Sequence, residues 1–197
     1  MEPKYIKRSK AFAKELLGSV ICYNATKYLI TVVEIYPYDE EPDDNGKHIS
    51  YVNREDNGKG KEILTGKDKP GTIFTYSAMI HVVGKCEKYS DNGRCDNALI
   101  RGAIKIKDGK LIVDKKNKSM NYKEGRPDTL CRTIFNKQSG IGFRAYKTDD
   151  TEMQIDYSKI YSIKDKDIVV GDRINIQKEK NNNLRFYLSC DFLMDKI

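Results

Sequence analysis

Long apolar runs are missing from this 197-residue chain. No stretch approaches the ~20 apolar residues that cross a bilayer as a helix, so no membrane partner is expected. The opening residues, MEPKYIKRSK, carry positive charge but lead into no apolar segment, so they do not read as a signal peptide. Cysteine is scarce: five stand at positions 22, 86, 95, 131 and 190, an odd number with no CxxC pair. That pattern speaks against a disulfide framework and for a reducing, intracellular and most simply cytoplasmic setting. Cys86 and Cys95 with His81 fit no common structural zinc spacing, so no metal is expected. GxGxxG, GxxxxGK[ST] and HExxH are all absent, which leaves no sequence sign of a dinucleotide fold, a P-loop or a metallopeptidase, nor of a cofactor.

What is present is charge, with a moderate supply of core residues. Lysine and arginine total 36 against 29 acids, a formal net charge of +7. That balance favours a polyanionic partner such as nucleic acid or a nucleotide, although the basic residues are scattered rather than gathered in a tail. Hydrophobic residues make up 39%, enough for the core of one domain over residues 1–197.

Along the chain, SKAFAKELLG (9–18) reads as a short amphipathic helix, with Ser9 as N-cap, Phe12, Leu16 and Leu17 on one face and Gly18 as the stop. SVICYN and KYLITVVEIY read as a hairpin about a turn at NAT. Residues 39–71 are polar, with glycine or proline at 42, 46, 58, 60, 66 and 70, and predict a long loop. GTIFTYSAMIHVVG (71–84) predicts a strand, and ALIRGAIKIKDGKLIV a strand, an Asp-Gly turn and a short strand. GRPDTLCRTIF predicts a helix, and residues 167–189 a strand pair around a long asparagine turn. The pattern is mixed α+β with antiparallel pairing.

Eight stretches in order from residue 12 to 189 carry a resemblance: FAKELLGSVI, VVEIYPY, PDDNGKH, KPGTIFTY, LIRGAI, GRPDTLC, VGDRINI and LRFYLS. Together they resemble the alkylpurine-DNA glycosylases, the mammalian-type 3-methyladenine enzymes of base excision repair. The resemblance implies a single mixed domain with a curved antiparallel sheet. It also implies a protein that flips a damaged purine out of duplex DNA into an aromatic pocket, where a glutamate activates the water that attacks the sugar.

Residue by residue, the family's V-E-x-E-A-Y falls on Val33, Glu34, Ile35, Tyr36, Pro37 and Tyr38. Tyr38 then matches the pocket tyrosine, and Tyr36 stands where the catalytic glutamate belongs. His48 matches the pocket histidine, once one residue is inserted after Tyr38, and Tyr76 matches the third pocket aromatic. Arg101 matches the arginine that helps hold the water, and Ile174 the apolar residue beside it. Met79, or Ala78 if a gap is placed, stands where a tyrosine wedge enters the minor groove; a methionine can serve as a wedge.

A phenol with a pKa near ~10 is a poor general base at neutral pH. Glu34 and Asp39 are the nearest carboxylates to replace it, but two residues along a strand span ~6–7 Å, so Glu34 is expected to fall short without rearrangement. Five carboxylates at Asp39, Glu40, Glu41, Asp43 and Asp44 read as a solvated loop that sits awkwardly beside DNA. Arg101 would pair with one of them, bind phosphate, or hold the water. The base-holding residues are kept while the base-activating residue is lost. The sequence therefore points to a purine or nucleotide binder, the ligand being a base in nucleic acid or a free or cyclic nucleotide. The alternative is an active, divergent glycosylase that uses Glu34 or Asp39. His81 reads as a strand histidine satisfied by its neighbours.

Overall fold

The structure, a computed structural model, describes residues 2–40, 70–76, 79–86, 95–112, 127–135, 146–147, 153–174 and 183–197. The described elements are α1 (Lys4–Leu16), β1 (Val20–Tyr23), β2 (Thr26–Tyr36), β3 (Ile73–Tyr76), β4 (Met79–Cys86), β5 (Cys95–Lys107) and β6 (Lys110–Ile112). They continue with α2 (Pro127–Ile134), β7 (Tyr146–Lys147), β8 (Met153–Asp156), β9 (Ile168–Gly171), β10 (Arg185–Leu188) and α3 (Cys190–Met194). Every described strand pair is antiparallel. The fold is α+β, a curled antiparallel sheet with few helices.

β2 organises the sheet. Its sequence TKYLITVVEIY is rich in β-branched and aromatic residues, and every position from Tyr28 to Tyr36 is buried, as in a strand covered on both faces. β5 runs along one edge, from Lys27↔Ile106 to Tyr36↔Asn97. The other edge is shared: β1 takes the first half (Val20↔Leu29) and β10 the second (Phe186↔Val33). β8 extends β1 and β9 extends β10. The sheet therefore forks at β2, which bends it around the far end of that strand.

Turn chemistry agrees with the sequence. Asn24 and Ala25 both have positive φ, 45° and 58°, as do Asp108 and Gly109, 51° and 76°, the backbone that two-residue hairpins need. Gly18 ends α1 at φ +75°, and a Cβ there would lie 2.0 Å from Ile163 Cδ1; only glycine suits both demands.

Four expectations need correction. α1 begins at Lys4, so Ser9 is a buried mid-helix residue and not a cap. The strand expected at 71–84 is two strands, β3 and β4, paired through Tyr76↔Met79. β8 and α3 had not been foreseen, although Ser189 caps α3 by accepting the Phe192 N–H at 3.2 Å. Cys95 is disulfide-bonded, and the residue opposite it in the ladder is Cys86; cysteine count alone had suggested free thiols. Of the loop expected at 39–71, residues 41–69 lie outside the described residues.

Lys159 closes the C-terminal end of α1. Its ammonium donates to the Leu17 carbonyl at 2.8 Å, to Ser19 Oγ at 2.7 Å, and to the Glu15 carbonyl, three acceptors at the helix end with its partial negative charge. Burial lowers its pKa to about 8, against the pull of Glu15. The unfolded chain keeps that proton up to the ordinary lysine value of 10.5. Between these two values the unfolded state binds more protons, so this group's contribution to stability rises with pH across the window. Denaturant titrations of wild type and Lys159→Met at pH 7 and pH 9.5 are expected to show a larger wild-type advantage at the higher pH.

Candidate functional site

Glu34 and Tyr36 leave β2 on the same face because strand side chains repeat every second residue. Their Cα atoms are separated as expected, yet their side chains converge. The Tyr36 hydroxyl donates to Glu34 Oε2 at 3.0 Å. Arg101 Nη1 donates to the same oxygen at 3.0 Å. The Ile174 N–H donates to the other oxygen, Oε1, at 2.9 Å. The two side chains thus meet at the Tyr36 hydroxyl, at the tip of the longer one. Arg101 pairs with Glu34 and with none of the described carboxylates of the acidic run.

A bulge aims Arg101. The register between β2 and β5 passes from Ile30↔Ala103 to Val32↔Gly102 and then to Val33↔Ile100. Thr31 is thus the extra residue on one strand and Arg101 on the other, and a bulged residue is turned out of the regular alternation. Gly102 makes this possible, since a Cβ there would lie 2.9 Å from Val32 Cγ2 and 3.1 Å from Thr31 Oγ1. The Arg-Gly pair of LIRGAI is thereby explained by backbone approach.

Tyr36 is enclosed. The residue is 7% exposed, and the Arg173 guanidinium lies 5.2 Å from the ring centroid. Burial, followed by the charge of Glu34, raises the phenol well above its ordinary range, so it donates a hydrogen bond and does not accept a proton. Arg173 is itself buried. Nη1 donates to Glu40 Oε2 at 3.0 Å and to the Ile35 carbonyl at 3.3 Å, and Nη2 reaches Glu40 Oε1. This bidentate pair pulls Glu40 to 2% exposure, so this member of the acidic run is anchored in the protein, while Asp39 before it stays exposed.

Tyr38 sits on a second cluster. The Arg8 guanidinium from α1 covers one face of its ring, 4.5 Å from the centroid. Arg8 holds Asp96 through Nε at 2.6 Å and Nη2 at 2.9 Å, and Asp39 through Nη1 at 3.1 Å. Asp96 also accepts the Tyr38 N–H at 3.1 Å. Burial raises the Asp96 carboxyl above its ordinary value against the pull of Arg8. For Arg8, burial opposes the charge, and the two aspartates outweigh it. Arg8 and Asp96 also wall a cavity of about 440 Å³ with Phe12, Gly84 and Tyr157.

The aromatic trio expected from the sequence is described in part. Tyr38 is half-buried with one face covered. Tyr76 ends β3 opposite Met79, its side chain lying outside the described residues, as does the whole of His48. Met79, which the sequence reading matched to the wedge, is partly exposed and pairs with Tyr76 at the start of β4. His81 contacts Asn97 Nδ2 through Nδ1 at 3.0 Å and stacks on Phe74 at 5.0 Å. Among the described residues no three His, Cys, Asp or Glu side chains are grouped to hold a metal, and no helix is long and apolar enough to cross a membrane.

Sequence reasoning missed Arg8, Asp96 and Arg173. Arg173 carried a usable signal, an arginine inside the apolar stretch around VGDRINI, because a buried guanidinium demands a buried acid. Arg8 and Asp96, 88 positions apart, carried none.

The methylpurine-DNA glycosylase family model matches residues 4–191, and the chain belongs to that family. Comparison with curated proteins gives no match. The scaffold is thus that of a DNA glycosylase, a family that acts on nucleic acid.

Proposed function

We propose that this protein binds a purine base or nucleotide at Tyr38, with His48 and Tyr76 completing the aromatic site, and does not hydrolyse the glycosidic bond. One observation carries the reading. The carboxylate nearest the catalytic position, Glu34, has no exposed surface and already accepts from Tyr36, Arg101 and Ile174. A general base must reach its water within about 2.6–3.2 Å, and the phenol of Tyr36 fills the space beside this carboxylate.

Asp39 is no better placed, being bound to Arg8. Ile174 offers Glu34 its backbone N–H, so the segment matched to water binding serves the carboxylate instead. The surplus of basic residues suits a nucleotide or nucleic-acid ligand.

The test is single-turnover base release from alkylated duplex DNA beside equilibrium binding of purine nucleotides. No release is expected, together with binding that weakens about 5- to 150-fold in Tyr38→Ala, the range for losing one base–aromatic stack. Base release abolished in Tyr38→Ala would overturn the reading. A second reading, an active divergent glycosylase, is favoured by the direct Glu34–Arg101 contact, which sets a carboxylate beside the arginine matched to water binding. Release by wild type that disappears in Glu34→Gln would establish it.

A further inference from the structure

We propose that the cavity between α1 and β4 binds an arylalkylamine, an organic monocation whose ammonium sits at Glu15 and Tyr157 and whose ring lies against Phe12. The inference is independent of the Tyr38 reading. Arg8, Ala11, Phe12 and Glu15 follow one another at helical spacing and bring one face of α1 to this cavity of about 440 Å³, a volume that suits a small molecule. Gly84 shapes the opposite wall. A Cβ there would lie 2.6 Å from Phe12 Cε1 and 2.9 Å from Asp96 Cβ, so glycine is what lets both side chains approach β4.

The polar groups of the cavity decide the class of ligand. Neither the Glu15 carboxylate nor the Tyr157 hydroxyl has a hydrogen-bond or ion-pair partner among the described residues. The two lie close together: burial, followed by the charge of Glu15, raises the Tyr157 phenol. The phenol keeps its proton, and its oxygen still accepts a hydrogen bond. Arg8 offers no free cation, since its one guanidinium serves both Asp39 and Asp96. Lys85 stands exposed at the rim. The Lys159 ammonium is held by three acceptors at the end of α1. Asp39, Asp96 and Glu15 thus face Arg8 and Lys85, which leaves one negative charge over. An ammonium closes that balance, takes both open acceptors, and is attracted by the rings of Phe12 and Tyr157. An anion would meet Glu15 with like charge. A bare metal ion would find no three grouped ligands among the described residues and would leave the apolar wall of Ala11, Phe12 and Pro70 uncovered.

The experiment is calorimetric titration of tryptamine into the full chain, with indole-3-propionate as an anion of similar shape. Glu15→Gln and Ala11→Phe are the variants. Ala11 is exposed on α1, so phenylalanine there fills the cavity without entering the core, and circular dichroism checks that both variants are folded. Tryptamine is expected to bind, and indole-3-propionate to bind about tenfold more weakly or worse. Glu15→Gln is expected to lose about tenfold, the low end for a hydrogen bond to a charged group, and Ala11→Phe to abolish binding. N-acetyl-phenylalanyl-lysine amide offers the same ring and ammonium from a protein source. No binding of tryptamine, equal binding of the anion, unchanged affinity in Glu15→Gln, or binding that survives Ala11→Phe would each overturn the inference. So would binding of the peptide where tryptamine does not bind.

Discussion

Arg173→Ala is expected to lower the unfolding free energy by about 3–5 kcal/mol, the range for removing one partner of a buried ion pair. The loss has three sources. Glu40 would remain buried without its bidentate partner, the Ile35 carbonyl would lose a donor, and the ring of Tyr36 would lose the cation beside it. A domain of ordinary stability has only about 5–15 kcal/mol in hand, so the variant should sit near the edge of unfolding. Urea titration measures the change. The double variant Arg173→Met with Glu40→Leu separates the causes: if the main penalty is the uncompensated carboxylate, apolar replacement of both partners should recover most of the loss. If the double variant is no more stable than Arg173→Ala, contacts to Ile35 and Tyr36 dominate instead.

The second large effect is expected in chemistry. Tyr36→Glu should give measurable base release from alkylated DNA where wild type gives none. The substitution removes a ring that fills the space beside Arg101 and sets a carboxylate in its place. A positioned general base contributes about 10²- to 10⁴-fold, enough to lift release above the spontaneous background in a single-turnover assay. The new carboxylate would stand beside Glu34, and two such groups sharing a site do not ionise equally. Release should therefore increase with pH through the titration of whichever group keeps the proton. Tyr36→Phe is the control. It removes only the hydroxyl donated to Glu34, leaves the ring in place, and should release nothing. If Tyr36→Glu is also silent, the loss of catalysis is spread over more positions than this one.

Much of the fold could be read in advance, and the reasons lie in particular residues. The β1–β2 hairpin and the β5–β6 turn were legible because Asn24, Asp108 and Gly109 tolerate the left-handed backbone of these turns, although Ala25 adopts it too, against its preference. α2 was legible from GRPDTLCRTIF, with Pro127 at its first position and Asp128 in its first turn. The start of α1 was misplaced because Ser9 looks like a cap, and nothing in a linear reading says that it faces the core. The division of 71–84 was missed because no Gly, Pro, Asn or Asp stands between Tyr76 and Met79 to mark a break.

At the site, family spacing brought out Tyr36, Tyr38, Arg101 and Ile174. The direct contact between Glu34 and Arg101 was not legible, since it depends on a two-strand register shift that makes Arg101 an extra residue. Nor was the stacking of Arg8 on Tyr38, which needs α1 placed against the end of β2.

The centre of the site also imposes an order on its own assembly. Glu34 is satisfied by Arg101, 67 positions later, and by Ile174, 140 positions later. A chain emerging from the ribosome at about 5–20 residues per second cannot close that cluster until the β9 segment has appeared. Until then β2 carries a carboxylate that must stay hydrated, and the strand on which the sheet forks cannot be fully covered at that end. Contacts at such separations are also slow to form, because loop closure must precede the reward. The Glu34 cluster is consequently among the last parts of the molecule to become native, and a product stopped short of residue 174 would leave this carboxylate without its Ile174 donor.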